Sequence, residues 1–538
     1  MRLAYRLVAN LGLLLTSTVA IFALVEASPG GLETVYSHSG HVGAGQPIFL
    51  QYFTWLFRVL SGDLGWSPSN GEAVSQAIVD RLPASIELAF SAFVASLVLG
   101  AAIGYGRARA RASVWRGILS ILELGARALP IFALIMFVEL IAIFTRWIPT
   151  AGMSSDEASG VLDRLWHLIG PVLCLAVPFG AWSSLVFYEL FREPGDGARN
   201  RATHLFGGIA TNAALVGPAL LSGALLVEPF VAWPGLARNF FNGMDQFDIA
   251  MVAGSLLIYS VAIVGIKIGA DLFRGAPTTF LRRHDAQRPS GARRKQFSRI
   301  SIVAFVALSA AAIGAVGAGV IAPAGPNVID QAHWQGYPLP PGAAGHILGT
   351  DDSGYDMLAR LLFALRTSLG IAILAAAIAA AIGAFASMLT RSMHWFDDRG
   401  ALVATGIRPF AALPFMLATV MVLADRHHWN GSLVPLAIVS MIVVASLGAI
   451  VPAFRTRGPA TLGGVVDLTA CALLLEVTLS DIGFGVKSPT PSLGNMLRNA
   501  QMDIVVAPWA ALVPIAVIVA TLFALYAIGD DLRERSAS

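Results

Sequence analysis

Apolar runs of about twenty residues recur from end to end of this 538-residue chain. Each is long enough to cross a bilayer core of about 30 Å as a helix. Only 13% of residues are charged and 56% are hydrophobic, where a soluble domain carries about 25% charged residues. A disordered, fibrous or ordinary cytosolic protein is excluded. The chain is expected to be an all-α polytopic membrane protein in contact with the lipid bilayer.

Twelve spans are expected, over roughly 7–25, 84–106, 118–144, 165–187, 211–231, 249–273, 300–322, 366–390, 401–424, 433–454, 462–480 and 508–529. The first follows Arg2 and Arg6 and precedes Ala27-Ser28-Pro29, as a signal peptide would. Its apolar stretch exceeds the about 7–15 residues of a signal-peptide core, and it reads as a transmembrane helix. With the N-terminus in the cytoplasm, the loops on that side hold 23 Lys and Arg and the opposite loops 9. Translocation disfavours basic loops, so both termini are expected in the cytoplasm. The net charge of +3 is too small to suggest nucleic acid. Cys174 and Cys471 both fall inside apolar runs, which leaves neither a disulfide framework nor a CxxC metal site.

The densest charge is Arg282-Arg283-His284-Asp285 and the run from Arg288 to Arg299, mixed with Pro289, Ser290 and Gly291. Such a segment cannot bury a core and reads as a basic cytoplasmic linker over 274–299, solvated near anionic lipid. It separates two six-span halves, 1–273 and 300–538, with external segments over about 26–83 and 323–365. Those segments end in similar turns, Ser61-Gly62-Asp63-Leu64-Gly65-Trp66 and Gly349-Thr350-Asp351-Asp352-Ser353-Gly354-Tyr355-Asp356. The third span of each half carries Ala-Leu-Pro, at Ala128-Leu129-Pro130 and Ala412-Leu413-Pro414. Proline removes a helical hydrogen bond and kinks the span. Interrupted helices at corresponding positions of two halves point to a pathway between them and to a parallel duplication.

At these residues the chain resembles the inner-membrane permeases of dipeptide, oligopeptide and nickel ABC importers, with two permease types joined in one polypeptide. The first half is similar at Gln51-Tyr52 through Trp55, Gly62-Asp63-Leu64-Gly65, Arg81-Leu82-Pro83-Ala84-Ser85-Ile86-Glu87-Leu88 and Val227-Glu228-Pro229-Phe230 with Trp233-Pro234-Gly235-Leu236. The second is similar at His346-Ile347-Leu348-Gly349-Thr350-Asp351, Arg366-Thr367-Ser368-Leu369, Leu479-Ser480-Asp481-Ile482-Gly483-Phe484-Gly485, Ser488-Pro489-Thr490-Pro491-Ser492-Leu493-Gly494-Asn495 and Gly529-Asp530-Asp531-Leu532-Arg533. The resemblance implies a bacterial inner-membrane pathway subunit. Cytoplasmic ATPase subunits would supply the work and an external substrate-binding protein would deliver solute. The chain has no GxxxxGK[ST] phosphate loop, so no cofactor and no catalysis are expected of it alone.

Such permeases dock their ATPases through a loop between spans four and five. Here that loop is centred on Arg192, Asp196, Ala198, Arg199, Asn200 and Arg201, the candidate docking residues. Asn200 stands where the family has a turn glycine, and asparagine tolerates the left-handed conformation. Ordinary positive-inside topology accounts for the basic residues as well. In the second half only 455–460 joins the corresponding spans, too short for a coupling helix.

Charges inside hydrocarbon cost about 2.5–3.5 kcal/mol on insertion scales and face partners or a watery cavity. Span three holds Glu123 and Arg127, four residues apart on one helical face, and span nine holds Arg408. With Pro130 and Pro414 these are the candidate pathway residues: an acid and a base tolerate both termini of a zwitterionic peptide. A structural ion pair is the alternative. Lys267 and Asp271 read as a structural pair, and Glu228 and Glu476 as packing near the external gate. His427-His428 reads as a solvated loop rather than a metal site, since adjacent side chains diverge. Two other functions fit a twelve-helix chain: an ion-coupled secondary transporter, or a non-transporting scaffold or decayed permease with eroded coupling loops.

Overall fold

The computed structural model describes residues 2–37, 46–110, 112–149, 151–155, 160–192, 198–273, 298–322, 324–331, 336–389, 412–427 and 459–536. Among them, nine helices are long and apolar enough to cross a membrane, and a bent helix pair makes a tenth span. The chain is an all-α polytopic membrane protein. Its described strands are β1 (Trp66–Ser67) and β2 (Glu72–Ala73), a two-residue antiparallel ribbon.

The spans expected in the first half appear as α1 (Arg2–Ala27), α4 (Val74–Arg109), α7 (Val161–Arg192), α8 (Ala198–Phe230) and α10 (Ile249–Phe273), with the third divided. Those of the second half appear as α11 (Arg299–Val316), α13 (Met357–Leu389), α15 (Pro459–Ile482) and α17 (Pro508–Ser536). The four-residue α12 (Ala318–Ile321) follows α11. The ninth span is described from residue 412, as α14 (Leu413–His427), and the tenth, 433–454, lies outside the described residues.

The third span is broken rather than merely kinked. It runs as α5 (Ser113–Ala128) and α6 (Ile131–Thr145), bent by 96° at Leu129-Pro130. Proline steers the residue before it away from the helical region and lacks the amide that would continue the ladder. The helix restarts at once, the Pro130 carbonyl accepting the Leu134 amide at 3.2 Å. Pro414 falls in the first turn of α14, where a missing amide costs nothing; any kink there lies outside the described residues.

Two compact units divide the chain. The first comprises Met1–Leu119, Phe137–Thr278 and Ala411–Trp429, so it joins most of the first half to the Ala-Leu-Pro segment of the second. Its central contact is α4 along α7, where Gly100 and Gly104 let the backbones close: a Cβ there would lie 2.9 Å from the Gly180 oxygen and 2.7 Å from the Tyr188 nitrogen. Small residues at helix contacts are the usual route to tight packing in lipid. Helix α1 lies on α10, and Asn10 Nδ2 donates to Asp271 Oδ2 at 3.0 Å. The short α2 (Gly31–Val35), α3 (Ile48–Leu60) and α9 (Leu236–Asp245) complete this unit. The β-ribbon is tied down by Ser67 and Ser69, whose hydroxyls donate to Asp248 at 2.5 and 2.6 Å.

The second unit comprises Ser120–Met136, Thr279–Phe410 and Asn430–Ser538, and so includes the Ala-Leu-Pro segment of the first half. Here α15 packs on α17 and α13, and α11 lies on α17, where Ser301 donates to the Ala527 carbonyl at 3.2 Å. The short α16 (Leu493–Gln501) starts at a capping box, Ser492 and Asn495 each satisfying the other's backbone amide.

Candidate functional site

In each unit a serine of one span accepts the first amide of a short helix, and a neighbouring span carries a fully buried glutamate. In the first, Ser85 on α4 donates to Glu228 Oε1 on α8 at 2.7 Å and accepts the amide of Leu236, the first residue of α9, at 2.7 Å. Glu228 Oε2 accepts the next amide, Ala237, at 2.7 Å. In the second, Ser368 on α13 accepts the amide of Leu493, the first residue of α16, at 3.1 Å. Glu476 Oε1 on α15 accepts from Ser480 at 2.8 Å. The first amides of a helix have no partner within it, so in each unit a serine hydroxyl from a span satisfies the start of a short helix, part-buried at Ser85 and fully buried at Ser368. Gly235 makes room for this: a Cβ there would lie 2.3 Å from Glu228 Oε2. Both glutamates stood out in the sequence. Their serine partners did not, although each lies within a quoted motif.

The second candidate feature is a run of alternating charges in the second unit. Arg127 on α5 sits 3.6 Å from Glu123 Oε1, as their four-residue spacing implied. Its Nη1 donates to Asp530 Oδ1 on α17 at 3.4 Å, and its Nη2 to Asp530 Oδ2. Asp530 also pairs with Arg533, which reaches Asp467 on α15. Three carboxylates and two guanidinium groups thus connect α5, α17 and α15, every charge beside its opposite. The Arg127 side chain is 3% exposed and lies over the Tyr526 ring, 5.8 Å from its centroid, whereas Asp530 is 34% exposed. Two glycines permit the approach of α15 to α17. A Cβ on Gly529 would fall 2.3 Å from Asp467 Oδ1, and one on Gly463 would fall 2.8 Å from the Gly529 oxygen. Asp467, Asp530 and Arg533 were not singled out by the sequence as partners of Arg127. The only signal was that Asp530 and Arg533 share the motif at the end of the chain.

Of the remaining pathway candidates, Pro130 marks the α5–α6 break, Pro414 opens α14, and Arg408 lies outside the described residues. Of the docking candidates, Arg192 is exposed at the end of α7, and Asp196 lies outside the described residues. Ala198, Arg199, Asn200 and Arg201 form the start of α8. Asn200 is therefore helical, not the left-handed turn residue its place in the pattern suggested. The apolar window of α8 begins at Leu205, so these residues form about two turns of helix beyond it. The short second-half connection lies almost wholly outside the described residues.

The segment between α12 and α13 carries a further cluster. His346 Nδ1 lies 2.6 Å from Asp356 Oδ2, and its Nε2 lies 3.1 Å from Asp330 Oδ2. The hydrogen bond to Asp356, helped by that to Asp330, raises the imidazole above its ordinary 6.5. Asp356 in turn caps α13, its Oδ1 accepting the Ala359 amide at 2.7 Å.

No family model matches the chain. Individual proteins do. A protein of Brucella suis biovar 1 named as a peptide permease is 24% identical over 301 residues, which cover 50% of this chain and 94% of that protein. The oligopeptide transport system permease protein AppB of Bacillus subtilis is 25% identical over 300 residues, covering 50% and 94%. The glutathione transport system permease protein GsiC of Salmonella choleraesuis is 24% identical over 309 residues, covering 50% and 95%. Nearly the whole of each relative is matched by half of this chain. The chain is a homologue of the permeases of peptide ABC importers, about twice the length of one.

Proposed function

We propose that the chain forms the transmembrane pathway of an ATP-binding-cassette importer for peptides or related small solutes, with both permease halves in one polypeptide. The observation that carries this reading is the serine that accepts the first amide of a short helix, with a buried glutamate on a neighbouring span, present once in each unit of a chain of which these relatives each match about half. One chain then supplies what two permeases supply elsewhere. Separate cytoplasmic ATPase subunits hydrolyse ATP, and an external binding protein delivers the solute. The pathway alternates its access between the two sides. The chain resides in a bacterial inner membrane with both termini in the cytoplasm, as the distribution of basic residues favours.

In this reading Glu123, Arg127 and Pro130 belong to the pathway, with Arg408 and Pro414 as their counterparts in the second half. The charge run closes it in the conformation described, because Arg127 is already held by two carboxylates. A solute carboxylate reaches Arg127 only by displacing Asp530. The ATPases dock on the projecting start of α8 beside Arg192 and Asp196. Co-purification of the membrane-extracted chain with candidate ATPase subunits tests the assignment. Association that Arg199→Glu weakens, and that Arg238→Glu on the opposite side leaves intact, is expected. Absence of any association would overturn it.

A further inference from the structure

Helix α3 (Ile48–Leu60) belongs to the segment that the sequence places outside the membrane, yet it carries an apolar face that none of the described residues of its unit covers. Phe49, Phe53, Phe57 and Leu60 follow one another at helical spacing along one stripe, and all four are exposed, Phe57 by 75% and Leu60 by 78%. Gln51, Thr54 and Arg58 lie on a second face. The third face, with Tyr52 and the buried Trp55, packs on α1. Helix α3 therefore presents one face to protein, one polar face and one bare hydrocarbon face. A bare stripe of this size is costly in water.

The depth of the α1 contact identifies what covers the stripe. Tyr52 Oη pairs with Thr18 Oγ1 at 3.0 Å, and the Tyr52 ring meets Phe22 edge-on at 5.4 Å. Thr18 and Phe22 lie inside the apolar window of α1, Asn10–Ala27. At 1.5 Å per residue, Thr18 is about 14 Å along the helix from the end at Ala27. Leu15 and Val19 of α1 also expose apolar side chains. At its other end α3 turns polar: Arg58 lies over the Tyr36 ring at 4.8 Å and 3.4 Å from Asp63.

We propose that α3 is an interfacial helix, its Phe49–Phe53–Phe57–Leu60 stripe immersed in the acyl chains of the leaflet that receives the C-terminal end of α1. Its N-terminal part dips beside α1, and Arg58 marks the level of the headgroups. Helices with one apolar and one polar face lie at that boundary, the apolar face toward the acyl chains. The segment between α1 and α4 is thereby fixed to the bilayer surface.

Spin labels at Phe49→Cys, Phe53→Cys and Phe57→Cys test this, made separately in a Cys174→Ala/Cys471→Ala chain in phosphatidylcholine–phosphatidylglycerol vesicles. Collision with oxygen should exceed collision with a water-soluble nickel chelate severalfold at these sites. The order should reverse at Thr54→Cys and at the loop control Ser69→Cys. Equal access of the nickel chelate to the stripe and to Ser69 would overturn the proposal. Exclusion of both reagents would overturn it too, by showing protein on the stripe, whether a second copy or a partner. The unmodified chain gives an independent measurement through an acyl-chain carbene photolabel. Phe49, Phe53 and Phe57 should be labelled along with Leu15 and Val19 of α1, and labelling of α1 alone would contradict the assignment.

Discussion

Arg127, in the first half of the sequence, is bound through both terminal nitrogens of its guanidinium to Asp530, near the end of the last helix. The pair is the middle link of the charge run from Glu123 to Asp467, and it decides how that run responds to substitution. Arg127 is buried and flanked by two carboxylates, whereas Asp530 keeps access to solvent. Arg127→Met leaves buried acid without its counterion and is expected to cost about 3–5 kcal/mol. Asp530→Asn should cost less, because Arg127 keeps Glu123 beside it and the new amide oxygen still accepts a hydrogen bond. Thermal unfolding in detergent measures both. A double-mutant cycle on the pair should return a coupling of about 0.5–3 kcal/mol.

The α15–α17 contact depends on two glycines rather than on a preferred residue type. Gly529→Ala places a methyl against Asp467, and Gly463→Ala places one against the backbone of α17. Each should destabilise the chain by about 1–3 kcal/mol through overpacking. Gly269→Ala is the control. It lies in α10 with open space where its Cβ would stand, and it should be neutral or slightly stabilising.

The two anchors should fail alike. Ser85→Ala strips Glu228 of a donor and the Leu236 amide of its acceptor, and Ser368→Ala strips the Leu493 amide of its acceptor. Leaving buried polar groups unpaired costs about 1–3 kcal/mol. Matched losses of stability in the two variants are the expected result of a duplicated structure. A large loss in one and none in the other would contradict the equivalence of the anchors.

Protonation of His346 should hold the segment between α12 and α13 together. The cation donates to Asp356 and Asp330 at once, whereas the neutral ring has a single N–H to offer. Its pKa is raised in the folded chain, so the stabilisation is complete below the ordinary 6.5 and is lost as pH rises through the folded value. Hydrogen exchange of the amides around Asp330 should accelerate as pH rises from 6.5, beyond the intrinsic increase. His346→Gln should remove that excess.

Much of this fold was legible because hydropathy reports spans directly. Helices α4, α7, α10 and α13 overlap the expected stretches, and Pro130 marked the one broken span among the described residues. The extent of the break was less legible, since a proline in lipid produces anything from a slight kink to a full turn. Arg127 and Glu123 were visible as a pair because they share a helix. Asp530 and Asp467 were not, because hundreds of residues separate them and only tertiary packing brings them together. Helix α3 was hidden for another reason. At 13 residues it is too short for a span and was absorbed into the external segment, although its aromatic residues recur every fourth position. Asn200 misled because a position in a motif carries no backbone conformation of its own, and the start of α8 runs through it.

The central claim is that one chain with two permease halves completes a pathway worked by partner ATPases. Vesicles containing the chain, the candidate ATPase subunits and an external binding protein test it most directly, with ATP hydrolysis and peptide uptake followed together. Hydrolysis that the binding protein stimulates, accompanied by uptake, is the predicted result. Uptake that follows a proton gradient without ATPase subunits would contradict the account, and so would a complete set of components showing neither activity.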